Sequence, residues 1–129
     1  MRVPKFRAWV KDEKRMLPVG DLDMSYKLTY LDENNGYRRE RDFDEIELMQ
    51  FTGLKDKNGK EVFEGDIVKI PDDYDTFGHN AGEILKVAFN NGCFRLKRPN
   101  SKGRGFYFED DNTVTIIGNI YENQELLGE

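Results

Sequence analysis

The sequence predicts a mainly β protein with minor helix: an N-terminal β-rich α+β part followed by a small SH3-like β-barrel. Three observations carry that expectation. Apolar residues alternate with polar ones in short runs rather than recurring at helical spacing. Glycine turns such as Asn35-Gly36, Asn58-Gly59 and Asn91-Gly92 punctuate the runs at intervals that suit hairpins. Nine Phe, six Tyr and one Trp supply enough large apolar surface to offset chain entropy, which excludes a disordered chain.

The first run, Lys5-Phe6-Arg7-Ala8-Trp9-Val10, has the period of two of a half-buried strand. Residues 11–15 form a polar turn and Met16-Leu17-Pro18-Val19 returns; Pro18 has no N–H to give, which predicts an edge strand. Residues 26–31 alternate again and lead into the Asn35-Gly36 turn, and residues 37–42 are rich in Arg and Glu. Asp42, with Glu45 three residues on, predicts the start of a short helix. Residues 48–52 read as a strand. Residues 66–70 form another, entered through Gly65 and stopped by Pro71, and residues 71–82 form an acidic loop. Residues 83–89 place Leu85, Val87 and Phe89 on one face, and residues 93–97 run back with Phe94 and Leu96 inward. A basic loop over residues 98–105 leads to Phe106-Tyr107-Phe108, and the last strand, residues 113–117, ends where Gly118 marks a bulge. Five short strands at regular spacing over residues 63–120 are the pattern of a small barrel, whose closure removes unpaired edges. The expected division is a subdomain over residues 1–52 and the SH3-like barrel over residues 53–129.

Composition narrows the function classes. With 20 Lys and Arg against 25 Asp and Glu the net charge is −5, which argues against an overall polyanion-binding field and leaves room for a local basic patch. Cys93 is the only cysteine, so no internal disulfide forms, and His79 is the only histidine, so zinc sites built from several Cys or His are excluded. No apolar run approaches the ~20 residues of a membrane span, and the N-terminus has no signal-peptide core. The expectation is a cytoplasmic protein that does not enter a membrane.

Candidate chemistry is sparse. Asp72, Asp73 and Asp75 share a loop, with Glu83 and Lys86 beyond, in the manner of a Mg²⁺ nuclease site. Glu83 and Lys86 are three apart, however, so a strand points them to opposite faces, and a solvated acidic loop is the better reading. Asp56-Lys57-Asn58-Gly59 fails as a calcium loop because its glycine comes too early and the closing Glu is absent. His79 has no nucleophile marked beside it, and Cys93 reads as a small strand residue. No phosphate-cradling loop and no nucleophile elbow occur. The sequence therefore predicts no catalytic residue, no metal and no cofactor. The basic loop is the best binding candidate: Lys97, Arg98, Lys102 and Arg104 have no acid among them and stand beside Tyr107, a set suited to phosphate contact and base stacking. Against this, Glu109, Asp110 and Asp111 follow at once, and alternation buries at least one of the three aromatics. A second basic run, Arg38-Arg39-Glu40-Arg41, is interrupted by an acid.

The stretch from Glu47 to Val68, with Phe51-Thr52-Gly53-Leu54-Lys55-Asp56 and Asn58-Gly59 at its centre and Gly65-Asp66-Ile67-Val68 at its end, resembles the signature of the YopX family. The opening Lys5-Phe6-Arg7-Ala8-Trp9 and the late Ile117-Gly118-Asn119-Ile120-Tyr121-Glu122-Asn123 are similar to that family's terminal motifs. The resemblance implies a protein of phages or prophages of Gram-positive bacteria with a β-rich fold ending in an SH3-like barrel. It supplies no mechanism and no site residues. With it, the residues support a non-enzymatic binding or adaptor protein acting through protein contacts, including self-association as a homo-oligomer by strand edges near Pro18. The alternative is a single-stranded nucleic-acid-binding module using the loop at residues 97–107.

Overall fold

The computed structural model describes residues 4–33, 35–72, 81–90, 92–99, 103, 105–109 and 112–128. The chain divides into two units, Met1–Phe51 and Thr52–Glu129. Both are built from antiparallel strands, and among the described residues the helical content is two short 3₁₀ turns, Phe43–Glu45 and Gln124–Leu127.

In the first unit the strands are β1 (Phe6–Val10), β2 (Arg15–Asp23), β3 (Leu28–Asp32), β4 (Arg38–Asp42) and β5 (Ile46–Lys55), in the sheet order β4-β3-β2-β1-β5. Alternation aligns Ala8 and Val10 of β1 with Leu17 of β2, Leu31 of β3 and Ile46 of β5, and these five form the buried core. The 3₁₀ turn begins where the sequence places it, and the Asp42 N–H donates to Glu45 Oε1 at 3.0 Å. It ends after three residues because Ile46 is already extended and pairs with Val10.

One expectation for this unit is corrected. The strand carrying Pro18 lies inside the sheet, not at its edge. β2 pairs with β1 through residues 15–18 and with β3 through residues 19–23, with a bulge between Val19 and Asp21. Pro18 stands at the handover between two neighbours, where a missing N–H interrupts no continuous ladder. The outer strand here is β4, whose sequence Arg-Arg-Glu-Arg-Asp is all charge. Charged side chains of this kind blunt edge-to-edge pairing, which removes the sequence argument for self-association near Pro18.

β5 runs on past Phe51 into the second unit, where β6 (Glu61–Phe63) pairs with it. The second sheet has the order β10-β9-β8-β7-β11, with β7 at Asp66–Lys69, β8 at Ile84–Asn90, β9 at Cys93–Lys97, β10 at Phe106–Tyr107 and β11 at Thr115–Asn119. Val62, Val68, Ile70, Leu85, Val87, Leu96, Phe108 and Val114 make its core. The expected bulge is present between Ile116 and Gly118. β10 and β11 end this sheet, and among the described residues no ladder joins them. Among the described residues the architecture is two antiparallel sheets, without a ring of strands closed into a barrel.

Family-signature residues brace the second unit. Gly53, Gly59 and Gly65 take φ of +87°, +81° and +90°, as their glycines require. The Asn58-Gly59 turn is not of type I′, because Asn58 does not take positive φ. Its geometry is set instead by Asp56, which is fully buried. Asp56 Oδ1 accepts the N–H groups of Asn58 and Lys60, each at 2.9 Å, and Oδ2 accepts that of Ile116 at 3.0 Å. Burial pushes this carboxyl's pKa up, but the three N–H donors more than offset it and hold the pKa below the ordinary value. Asp66 Oδ2 accepts from Phe63 N–H at 2.8 Å, the capping role its position predicts.

Candidate binding face

Register decides which side chains share a surface, and the second sheet brings four of them together. In β9, Leu96 faces the core, so Arg95 and Lys97, and with them Cys93, point the other way, while Phe94 packs edge-on against Phe89. Lys97 pairs with Lys86 of β8, Arg95 pairs with Ala88 of β8 and with Tyr107 of β10, and Cys93 pairs with Asn90. One face of β8-β9-β10 therefore carries Lys86 and Lys97 in one row and Arg95 and Tyr107 in the next, about 7 Å along the strands. Ile67, the partner of Lys86 in β7, is fully buried; along the rest of the face Lys86 and Lys97 are half-buried, Arg95 is buried and Tyr107 is exposed.

The two rows differ in how their charge is held. Arg95 is 6% exposed; its Nε donates to the Asn90 carbonyl at 3.1 Å and its guanidinium lies 4.6 Å from the centre of the Tyr107 ring. That cation–π contact pins the tyrosine against the sheet while 63% of Tyr107 stays exposed. Gly105 makes this docking possible. Its φ is +80°, and a Cβ there would stand 2.5 Å from the Leu96 carbonyl oxygen, so another residue would push β10 off β9. In the other row Lys86 and Lys97 face each other across neighbouring strands. Like charges placed directly opposite destabilise a sheet by about 0.2–1 kcal/mol, and no described acid forms an ion pair with either lysine.

Only part of the predicted loop contributes to this face. Lys97 and Tyr107 do. Arg98 does not: its guanidinium is ion-paired with Glu83 and stacks 4.8 Å from the centre of the Phe106 ring. Lys102 and Arg104 lie outside the described residues. Lys86 and Arg95 were missed by sequence reasoning because a patch built by cross-strand register leaves no linear motif; the alternation of Arg95 with Lys97 is the one local hint.

The remaining candidates fall into place around the face. Glu83 is occupied by Arg98, and Asp72 lies 3.6 Å from Lys69 Nζ, while Asp73, Asp75 and His79 are outside the described residues. Among the described residues no three His, Cys, Asp or Glu side chains converge as metal ligands. Cys93 is half-buried, with its thiol 3.8 Å from the Asn90 carbonyl. The second basic run is β4, and each of its arginines is committed to acids of its own unit. Arg38 bonds Asp21 at 2.7 Å and Asp32 at 2.9 Å. Arg39 bonds Glu13 at 2.6 Å and Glu33 at 3.4 Å. Arg41 bonds Glu13, Glu45 at 2.8 Å and Asp12 at 3.3 Å. Hydrogen bonding from Arg39, assisted by the Arg39 and Arg15 charges and a hydrogen bond from Arg41, lowers the Glu13 pKa from 4.5 to about 2.

The YopX protein family matches residues 5–128, nearly the whole chain. The chain belongs to the YopX family. It is similar to protein EF1440 from Enterococcus faecalis, whose crystal structure superposes with a TM-score of 0.62 at 32% identity, covering 98% of this chain and 99% of that one. It also shares its fold with protein yopX from Bacillus subtilis, at a TM-score of 0.54 and 20% identity over 95% of each chain. No curated protein matches it. The terminal motif of this YopX-family chain is explained by local geometry: Asn119 N–H donates to Asn123 Oδ1 at 3.1 Å, and Asn119 Oδ1 accepts from the N–H groups of Tyr121 and Glu122 at 3.0 and 2.9 Å. Gly118 must be glycine there, since a Cβ would meet Asn123 Oδ1 at 2.5 Å. Family signature and binding face are thus separate: the signature residues hold the fold, and Lys86, Arg95, Lys97 and Tyr107 lie outside them. Among the described residues no helix is long and apolar enough to cross a membrane.

Proposed function

We propose that this chain is a non-enzymatic accessory protein, encoded by a phage or prophage, that works by binding an acidic macromolecule on the face formed by Lys86, Arg95, Lys97 and Tyr107. The observation that carries this reading is the opposition of the half-buried Lys86 and Lys97 beside an exposed, pinned aromatic ring. A sheet that only had to fold gains nothing from two like charges in register. An anionic partner laid across both lysines turns that repulsion into two attractions. The second unit is read here as an opened member of the SH3-like group, with this face on the side away from its core.

Retention on immobilised heparin, a generic polyanion, tests the reading. The Lys86→Gln/Lys97→Gln double variant elutes at clearly lower salt than the parent, while Arg38→Gln in β4 leaves elution unchanged. Equal elution of the parent and the double variant would remove the proposal.

A second reading, contact with a protein through the first unit, is favoured by Met24, Tyr26 and Tyr37, which are 72%, 79% and 72% exposed in the turns at the two ends of β3. Large apolar side chains left in water at turns serve contact surfaces better than they serve a fold. This is the adaptor role, and loss of partner capture in a Tyr26→Ser/Tyr37→Ser variant of unchanged stability tests it.

A further inference from the structure

We propose that the acidic ligand of the β8-β9-β10 face is single-stranded nucleic acid, with a base stacked on Tyr107 and the flanking phosphates on Lys86 and Lys97. This inference rests on the binding-face reading above and adds the class of ligand. Charge alone does not choose between an acidic peptide and a nucleic acid; the aromatic ring does. Tyr107 has the Arg95 guanidinium 4.6 Å from its ring centre and leaves 63% of its surface in solvent. A ring held from behind by a cation and open in front is a stacking platform whose ordering cost is already met in the free protein. A flat base fits it, whereas a carboxylate approaching the electron-rich ring face is repelled.

Spacing supports the same ligand. The lysine row and the Tyr107 row are about two residues apart along the strands, roughly 7 Å. That is close to the spacing of successive phosphates in an extended strand, so a backbone running along the strand direction passes from the stacked nucleotide to the lysines within one step. The bases inside a duplex are stacked on both faces and paired, so along its length a double strand gains only the charge contacts. The exposed acid Glu109, two residues beyond Tyr107, limits the face on that side and sets the direction in which the phosphates leave.

Fluorescence anisotropy of a labelled oligothymidylate, with the matching duplex and polyglutamate as competitors, decides the matter. The intact protein binds the single strand, and the logarithm of affinity falls with the logarithm of salt with a slope of about −1.4, at ~0.7 for each of two phosphates. Tyr107→Ser weakens binding about tenfold, the order expected for one lost stack, while Tyr107→Phe retains the parent affinity. The inference is overturned if Tyr107→Ser binds the oligonucleotide as well as the parent, if Tyr107→Phe loses as much as Tyr107→Ser, or if polyglutamate or duplex competes as effectively as single strand. In those cases heparin retention that still depends on Lys86 and Lys97 leaves the binding-face reading standing. Loss of that dependence removes both.

Discussion

β4 and the β8-β9 pair carry similar numbers of basic side chains and use them in opposite ways. In β4, Arg38, Arg39 and Arg41 each meet two or three carboxylates from the turns and strands around them. On the second sheet, Lys86 and Lys97 meet each other. The first arrangement spends its charge inside the molecule: it ties β4 to the turn that carries Asp12 and Glu13. The second leaves its charge facing outward at a small cost in stability. A run of arginines in a sequence is therefore a poor guide to a polyanion site, and two lysines eleven positions apart are a better one once register puts them together.

Substitutions sharpen this contrast between charge committed to the fold and charge kept for a partner. The largest effect is expected at Asp56, the most committed charge in the molecule. Asp56→Ala leaves three part-buried N–H groups without their acceptor and lowers unfolding free energy by about 3 kcal/mol, measured by urea denaturation; Asp56→Asn, which keeps one acceptor oxygen, loses less. Next is Arg41, whose side chain is 11% exposed. Arg41→Ala removes a charge-assisted contact from each of Glu13, Glu45 and Asp12, for a loss of about 2 kcal/mol.

Acid provides a graded version of the same test. The Glu13 pKa is held at about 2 in the folded protein, from 4.5, chiefly by Arg39, and those of Glu33 and Glu45 are lowered too, by Arg15 and by the Asp42 N–H respectively. A carboxylate with a lowered folded value contributes stability that is fully present above about pH 4.5 and is lost as pH falls through the folded value. The urea midpoint of the parent therefore falls between pH 4.5 and 2, and it falls less in an Arg39→Gln variant that lacks the main donor. The smallest effect is at the open face: Lys86→Gln leaves stability unchanged or raises it by about 0.2–1 kcal/mol by relieving the opposed charges, while heparin retention drops. A clear loss of stability there would place Lys86 with the arginines of β4.

Much of the fold was legible because turn chemistry and alternation are local. Gly65, Gly92 and Gly118 mark where strands begin, turn and bulge, and Asp42 with Glu45 marks the 3₁₀ turn. β4 was not legible as a strand, because Arg-Arg-Glu-Arg-Asp has no apolar period; its stability comes from acids as far away in sequence as Asp12 and Glu13. Pro18 misled because a strand that hands over from one neighbour to another tolerates a missing donor inside a sheet. In the binding face, Lys97 and Tyr107 were visible as part of a basic, aromatic segment. Lys86 and Arg95 were not, since nothing local signals which residue stands across a ladder, and Arg98 looked available until Glu83 was placed beside it.

The central claim is that the lysine and tyrosine rows of β8-β9-β10, rather than the arginines of β4, meet the partner. Titration of the ¹⁵N-labelled protein with a heparin oligosaccharide, followed by amide chemical shifts, tests it most directly. The account predicts shifts concentrated at Lys86, Arg95, Lys97 and Tyr107, with Arg38, Arg39 and Arg41 unmoved. Shifts centred on β4, or spread evenly over both units, would contradict it.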